Sequence, residues 1–254
     1  MGVWVSKKNV LIVAGSDSVG GAGVQADIKS CEAFGCFSAS VITAVTAQNT
    51  NGVSSVLAMP ASMVKAQFEM VLAELNIDAV KVGMLFNEEI IAVVSAFLKE
   101  FRAKNVPVVI DPVCVAKSGA KLLEDGAIEA LKKLLKLASV ATPNVDEARI
   151  LGINFTNLPC DMVLKRTKVD EICEDTLYLK NGGAMKFSEE LFEPKVMHGA
   201  GCSFSSSLAA ILAQQSDLIS AIKMAKKFVA NGIKNAHKSK FGARLIDHKA
   251  EING

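Results

Sequence analysis

Apolar and polar positions fall in blocks along this chain. A short, continuously apolar run, a polar or glycine-bearing break and a stretch of helical period recur in that order. Residues 9–14 (NVLIVA) are apolar throughout, the pattern of a strand buried on both faces of a parallel sheet. Residues 37–47 (FSASVITAVTA) are β-branched and apolar and predict a second strand, with Gln48-Asn49-Thr50-Asn51-Gly52 as its polar exit. Further strands are predicted at 79–84, 106–110, 139–142 and 176–179. Helices are predicted over 22–34, 62–75, 88–104 and 124–137, the second carrying Val64, Phe68, Val71, Leu72 and Leu75 at helical spacing. Residues 152–175 are the least periodic, with 161–173 read as a helix and 185–195 as a short hairpin. Two helices, 202–214 and 216–234, follow, and then a polar, partly ordered tail in which Phe241-Gly242 and Leu245-Ile246 are the docking points. At least six strand–helix alternations, without a repeat or linker, predict one doubly wound α/β domain over residues 1–254.

Composition narrows the function classes. Half of the 254 residues are hydrophobic, enough for one large core. The 28 basic and 26 acidic residues nearly cancel, and no basic run is interleaved with aromatics, which argues against nucleic acid or a membrane surface as main partner. No apolar run reaches the ~18 residues that span a bilayer, and residues 10–14 are too short an apolar core for a signal peptide. Met1-Gly2-Val3-Trp4-Val5-Ser6 fits the loose myristoylation pattern but reads as a ragged N-terminus. Six cysteines, at 31, 36, 114, 160, 173 and 202, show no CxxC spacing, as expected of reduced thiols in a cytosolic protein.

The candidate chemistry sits in the breaks after the strands. Gly15, Gly20, Gly21 and Gly23 crowd one loop, which is neither a P-loop nor a GxGxxG dinucleotide loop. Gln48 and Asn49 can donate and accept together, which suits a heteroaromatic ring edge; Asn51-Gly52 reads as a turn. Asp111 ends a buried strand and either caps the turn before Pro112 or serves a ligand. Lys117 is a solvated loop lysine or a phosphate clamp. Asn144 and Glu147, three apart, either form a capping box or hold a hydrated Mg²⁺. Lys180-Asn181-Gly182-Gly183 is another glycine loop with a lysine. Gly199, Ala200 and Gly201 run into an apolar helix with Cys202 at its start. Free amides there suit a phosphate, and the helix terminus is expected to lower the pKa of the thiol. A His198–Cys202 metal pair exists in spacing only, and a redox role for Cys202 lacks a nearby partner cysteine.

Seven segments in order, AGSDSVGGAGVQADIK, SVITAVTAQNTNGV, KVGM, VVIDPVCVAKSG, ATPNVDEA, LKNGG and HGAGCSFSSSLAA, resemble the hydroxymethylpyrimidine/phosphomethylpyrimidine kinases of thiamine synthesis, in the ribokinase superfamily. The cysteine at 202 separates this pattern from sugar kinases, which normally carry Asp there; pyridoxal kinases are the nearest relatives to confuse with it. The resemblance implies a ribokinase-like fold, a mainly parallel sheet flanked by helices. It implies ATP and Mg²⁺, two successive phosphorylations of one pyrimidine, and a homodimer. It places Gly15, Ala22, Asp27, Thr46, Gln48, Met84 and Val113 around the pyrimidine. Asp111, Asn144 and Glu147 would serve Mg²⁺ and phosphates, Lys180 and Gly182 would lie near the nucleotide, and Gly199–Cys202 would be anion hole and base. The segments 147–180 and 183–198 are shorter than the family's, and Gly182-Gly183-Ala184 stands for its Gly-Gly-His. A more open nucleotide side, or one completed by a partner subunit, is the expectation. The alternatives are a pyridoxal kinase and a non-catalytic pyrimidine sensor.

Overall fold

The computed structural model describes residues 7–116, 119–169, 172–190, 197–215 and 217–249. Its elements in chain order begin with β1 (Asn9–Ala14), α1 (Gly23–Ala33), β2 (Phe37–Ile42), β3 (Ala44–Asn49), β4 (Gly52–Ala58), α2 (Ala61–Glu74), β5 (Ala79–Val82), α3 (Glu88–Ala103) and β6 (Val108–Ile110). They continue with α4 (Ile128–Leu134), β7 (Val140–Ala141), α5 (Val145–Ile150), β8 (Asp161–Val169), β9 (Ile172–Tyr178), β10 (Ala184–Glu190), β11 (Met197–His198), α6 (Ala200–Leu212), α7 (Leu218–Lys234), β12 (His237–Lys238) and β13 (Arg244–Leu245).

Eight strands form the central sheet in the order β10-β9-β8-β7-β6-β5-β1-β2. From β2 through β8 every pairing is parallel; β9 and β10 add antiparallel pairings. Helices cover both faces, so the central strands are buried on both sides and read as unbroken apolar runs. The strand period still sorts their side chains. Leu11 and Val13 enter the core layer that includes residues of α2, α3 and α4, whereas Val10 and Ile12 enter the layer that includes residues of α1, α6 and α7.

Three expected elements differ. The apolar stretch 37–47 is two strands, because Thr43 turns the chain: its Oγ1 donates to the Met84 carbonyl at 2.6 Å and its N–H to that of Ala14 at 3.0 Å. Beyond it β3 leaves the sheet and pairs with β4 in a separate hairpin. Where 161–173 was expected to be a helix, residues 161–169 are strand and 172–173 open β9. Apolar and polar residues come in blocks there rather than in alternation, and the chain is extended because it pairs as β8 with β7 and β9. The 124–137 helix is shorter, with α4 flanked by 3₁₀ turns at Asp125–Ala127 and Leu135–Leu137. Of the expected 185–195 hairpin, residues 185–190 belong to β10, hairpin partner of β9, and 191–195 lie outside the described residues.

The tail docks in part. β12, β13 and β11 make a small three-stranded sheet, and Ile246 is buried, whereas Phe241 is exposed. Buried His248 contacts the Ser203 hydroxyl at 2.9 Å, tying the chain end to α6. Among the described residues no helix is long and apolar enough to cross a membrane.

Candidate active site

Parallel strands carry their C-terminal loops to one sheet edge. A cavity of about 870 Å³ runs along that edge. At one end Gly15, Ala22, Thr46, Gln48, Met84 and Val113 line it. The hairpin is tied to the β1 loop by Thr46, whose Oγ1 donates to the Ser16 carbonyl at 2.7 Å, and by the Ser18 hydroxyl, which donates to the Thr46 carbonyl. An amide, a thioether and an aliphatic side chain thus share one wall, with surfaces for both the faces and the polar edge of a flat ring.

Further along, the cavity is built around Asp111, which is buried. Lys165 Nζ donates to Asp111 Oδ1 at 2.6 Å, and Thr142 Oγ1 at 3.2 Å. Lys165 comes from β8, where its own N–H donates to the Pro143 carbonyl at 2.9 Å. Burial works against its charge, but Asp111 and Glu147 outweigh it and hold the ammonium above the usual lysine range. Asn144 and Glu147 close a capping box at α5, Asn144 Oδ1 accepting from the Glu147 N–H at 2.9 Å and Glu147 Oε2 from the Asn144 N–H at 2.8 Å. Both also line the cavity, so the capping and the ligand-facing readings hold together. Burial pushes the Glu147 carboxyl up to about 7, with Lys165 opposing and Asp111 adding to the shift.

The start of α6 faces this pair. Gly199 takes φ 87°, a left-handed turn, and no side chain caps the helix. The amides of Ala200, Gly201 and Cys202 therefore lack intrahelical acceptors at the cavity wall. A Cβ on Gly201 would stand 3.1 Å from Lys165 Nζ, which places the ammonium against this turn. The arrangement supplies amides and a cation to an anion, with carboxylates alongside.

Four of the residues singled out in the sequence stand differently. The Cys202 thiol is not acidified. Burial pushes it up to about 11, and the pull of Lys81 does not offset that burial together with Asp27 and Asp111. Asp27 does not line the cavity; it lies wholly buried beneath it, in a 2.6 Å ion pair with Lys81, which does line it. Asp27 holds the Lys81 ammonium above the usual lysine range against the cost of burial. Lys180 and Gly182 are exposed in the β9–β10 turn, and because β9 runs antiparallel that turn lies at the opposite sheet edge. The lysine beside the anion turn is Lys165. Lys117 falls outside the described residues. Among the described residues no group of three or more His, Cys, Asp or Glu side chains is placed to hold a metal. His198 Nε2 lies 2.8 Å from Asp17 Oδ2.

Sequence reading missed Lys165, Lys81 and a buried Asp175–Lys226 pair at 2.6 Å, which lines the far end of the cavity with Val229, Ala230 and Ile233 of α7. Lys81 had a signal: a lysine inside an otherwise apolar strand must find a buried partner. Lys165 had none, because residues 161–168 group three apolar and then four polar residues after Asp161 instead of alternating as a strand does.

A parallel α/β sheet whose ligand edge joins an anion-binding helix start to a buried lysine–carboxylate pair defines a small-molecule kinase site of the ribokinase-like class. The chain matches the phosphomethylpyrimidine kinase family model over residues 17–247, and it belongs to that family. It is 40% identical to the hydroxymethylpyrimidine/phosphomethylpyrimidine kinase of Haemophilus influenzae, over 89% of this chain and 91% of that one. It is 38% identical to a thiamine biosynthesis bifunctional protein of Geobacter sulfurreducens; the match takes in 94% of this chain but only 52%, about half, of that relative. The fold is similar to that of Bacillus subtilis pyridoxal kinase in complex with ADP, with a TM-score of 0.86, 31% identity, and 96% and 98% of the two chains covered.

Proposed function

We propose that this chain transfers phosphate from ATP to 4-amino-5-hydroxymethyl-2-methylpyrimidine, and then to the resulting monophosphate, in thiamine biosynthesis. One observation carries the reading. A single cavity holds both the Gln48, Met84 and Val113 wall and the Gly199–Cys202 turn with its Lys165–Asp111 pair. Gln48 reads the ring nitrogen and amine edge while Met84 and Val113 cover the ring. The amides of the α6 turn and Lys165 hold the transferring phosphoryl group where its charge is spread over the oxygens. Val229, Ala230 and Ile233 form an apolar wall for the nucleotide's base.

Mg²⁺ suits the donors present, since it takes one or two carboxylates and keeps its remaining waters. The upward shift of Glu147 beside Asp111 marks a place where added positive charge is favourable. Asp111 and Glu147 would hold the ion, which supplies charge neutralisation on the phosphates. Cys202 is protonated at neutral pH at its value of about 11, so only its minor thiolate form can accept the alcohol's proton and the amides carry most of the stabilisation. On the family resemblance we place the chain in the cytoplasm as a single-domain homodimer.

The similarity to pyridoxal kinase favours one second reading, phosphorylation of a pyridine alcohol. Purified protein with Mg²⁺-ATP is offered the hydroxymethylpyrimidine and pyridoxal side by side, with mono- and diphosphate products followed. We expect turnover of the pyrimidine through both steps. Turnover confined to pyridoxal establishes the second reading, and pyrimidine binding without turnover establishes a sensor.

A further inference from the structure

The loop after β1 and the turn before α6 lie far apart in sequence and interlock in space. Asp17, buried, lies at their junction. One of its oxygens accepts from the N–H of Gly21 at 3.0 Å and of Ala22 at 2.8 Å; the other accepts from Val19 at 3.1 Å. The first oxygen also contacts His198 Nε2 at 2.8 Å. His198 immediately precedes the left-handed Gly199, where a Cβ would fall 1.7 Å from the Gly21 carbonyl oxygen. A Cβ on Gly21 would in turn meet His198 Cδ2 and Leu245 Cδ2, each at 2.7 Å. Leu245 belongs to β13, which pairs in parallel with β11 and holds His198 from the other side. The two glycine loops therefore touch backbone to backbone, with one carboxylate–imidazole contact joining them and the chain's tail behind.

We propose that Asp17 and His198 are positioning residues. Their contact holds the amides of the α6 turn in register with the loop that receives the acceptor alcohol. The inference deepens the kinase reading above and rests on it for its kinetic consequence. Neither residue is needed to contact the phosphoryl group. His198 orients the turn at Gly199, and Asp17 orients His198 while fixing three amides of the substrate loop. Alignment of attacking oxygen, phosphorus and amides to a fraction of an ångström is where such a clamp acts.

The test compares His198→Ala with His198→Gln, which keeps an N–H donor of similar reach. His198→Ala is expected to lower kcat ~10²-fold, the size of losing one oxyanion contact, while the pyrimidine Kd changes less than ~3-fold. His198→Gln is expected to recover most of kcat. Hydrogen exchange is read in parallel on the peptide spanning residues 197–204, which should exchange faster in His198→Ala and as wild type in His198→Gln. Unchanged exchange in a folded His198→Ala protein overturns the clamp, as does a glutamine variant no better than alanine in both readouts. Wild-type protein inactive on the pyrimidine defeats the kinase reading, and the exchange result still decides the clamp.

Discussion

Lys165 and Cys202 stand at the same anion turn and are expected to separate in their effects. Lys165 lies against the Gly201 amide region and is paired with Asp111, and in the proposed reaction it would hold the phosphoryl group throughout transfer. Lys165→Ala should lower kcat by ~10²–10³-fold and leave the pyrimidine Kd within ~3-fold, read by steady-state kinetics and calorimetry on the folded variant. Cys202→Ala should lower hydroxymethyl phosphorylation by ~10²-fold, typical of a lost general base. A thiol titrating at about 11 gains thiolate as pH rises from neutrality, so this contribution should grow with pH in wild type and be absent in the variant. A flat ratio of the two rates between neutral and alkaline pH would assign Cys202 to the turn's shape instead. At this scale Gln48, Met84 and Asp111 were legible because each lies at a strand's end in a polar or glycine break, and Cys202 because it opens a helix after a glycine turn. The direction of the Cys202 shift was not legible. It depends on burial and on the carboxylates near the sulfur, Asp27 of α1 and Asp111 just after β6.

Among the elements, the Lys81–Asp27 pair joins β5 to α1 beneath the cavity floor, with both side chains wholly buried. Removing one partner leaves an uncompensated buried charge. Lys81→Met should therefore cost about 3–5 kcal/mol, whereas the double variant Lys81→Met, Asp27→Leu should regain most of it. Urea unfolding of the two variants and wild type measures both numbers; equal losses in the single and double variants would mean the pair adds nothing. The helix and strand types were mostly readable from period and length. Two errors have a common cause. The break at Thr43 and the strand at 161–169 are decided by hydrogen bonds to distant segments, to Met84 and Ala14 in one case and to β7 and β9 in the other. Local propensity carries no term for such partners.

For the whole molecule, the chain's tail is part of the site's support, through β13 beside His198 and through His248 on Ser203 of α6. Burial pulls the His248 imidazole down to about 4 from an ordinary 6.5. Its folded pKa lies below its unfolded one, so the neutral ring stabilises the fold above about 6.5, and that stability is lost as pH falls toward about 4. The loss is roughly 3 kcal/mol by linkage. Denaturant unfolding of wild type and His248→Gln between pH 7.5 and pH 4 checks it: the difference between them should shrink across this window, and a constant difference would contradict the shift. The alternating α/β order, the ligand edge and the seven motif segments are properties of the linear chain, because hydrophobic period and glycine placement are local. Strand direction and the pairing of buried charges are not. An antiparallel β9 sends Lys180 and Gly182 to the wrong edge, and Lys165, on a strand the local pattern hides, takes the place beside Asp111. Those assignments required the sheet order, since which lysine reaches a buried carboxylate is settled by the strands that lie next to one another.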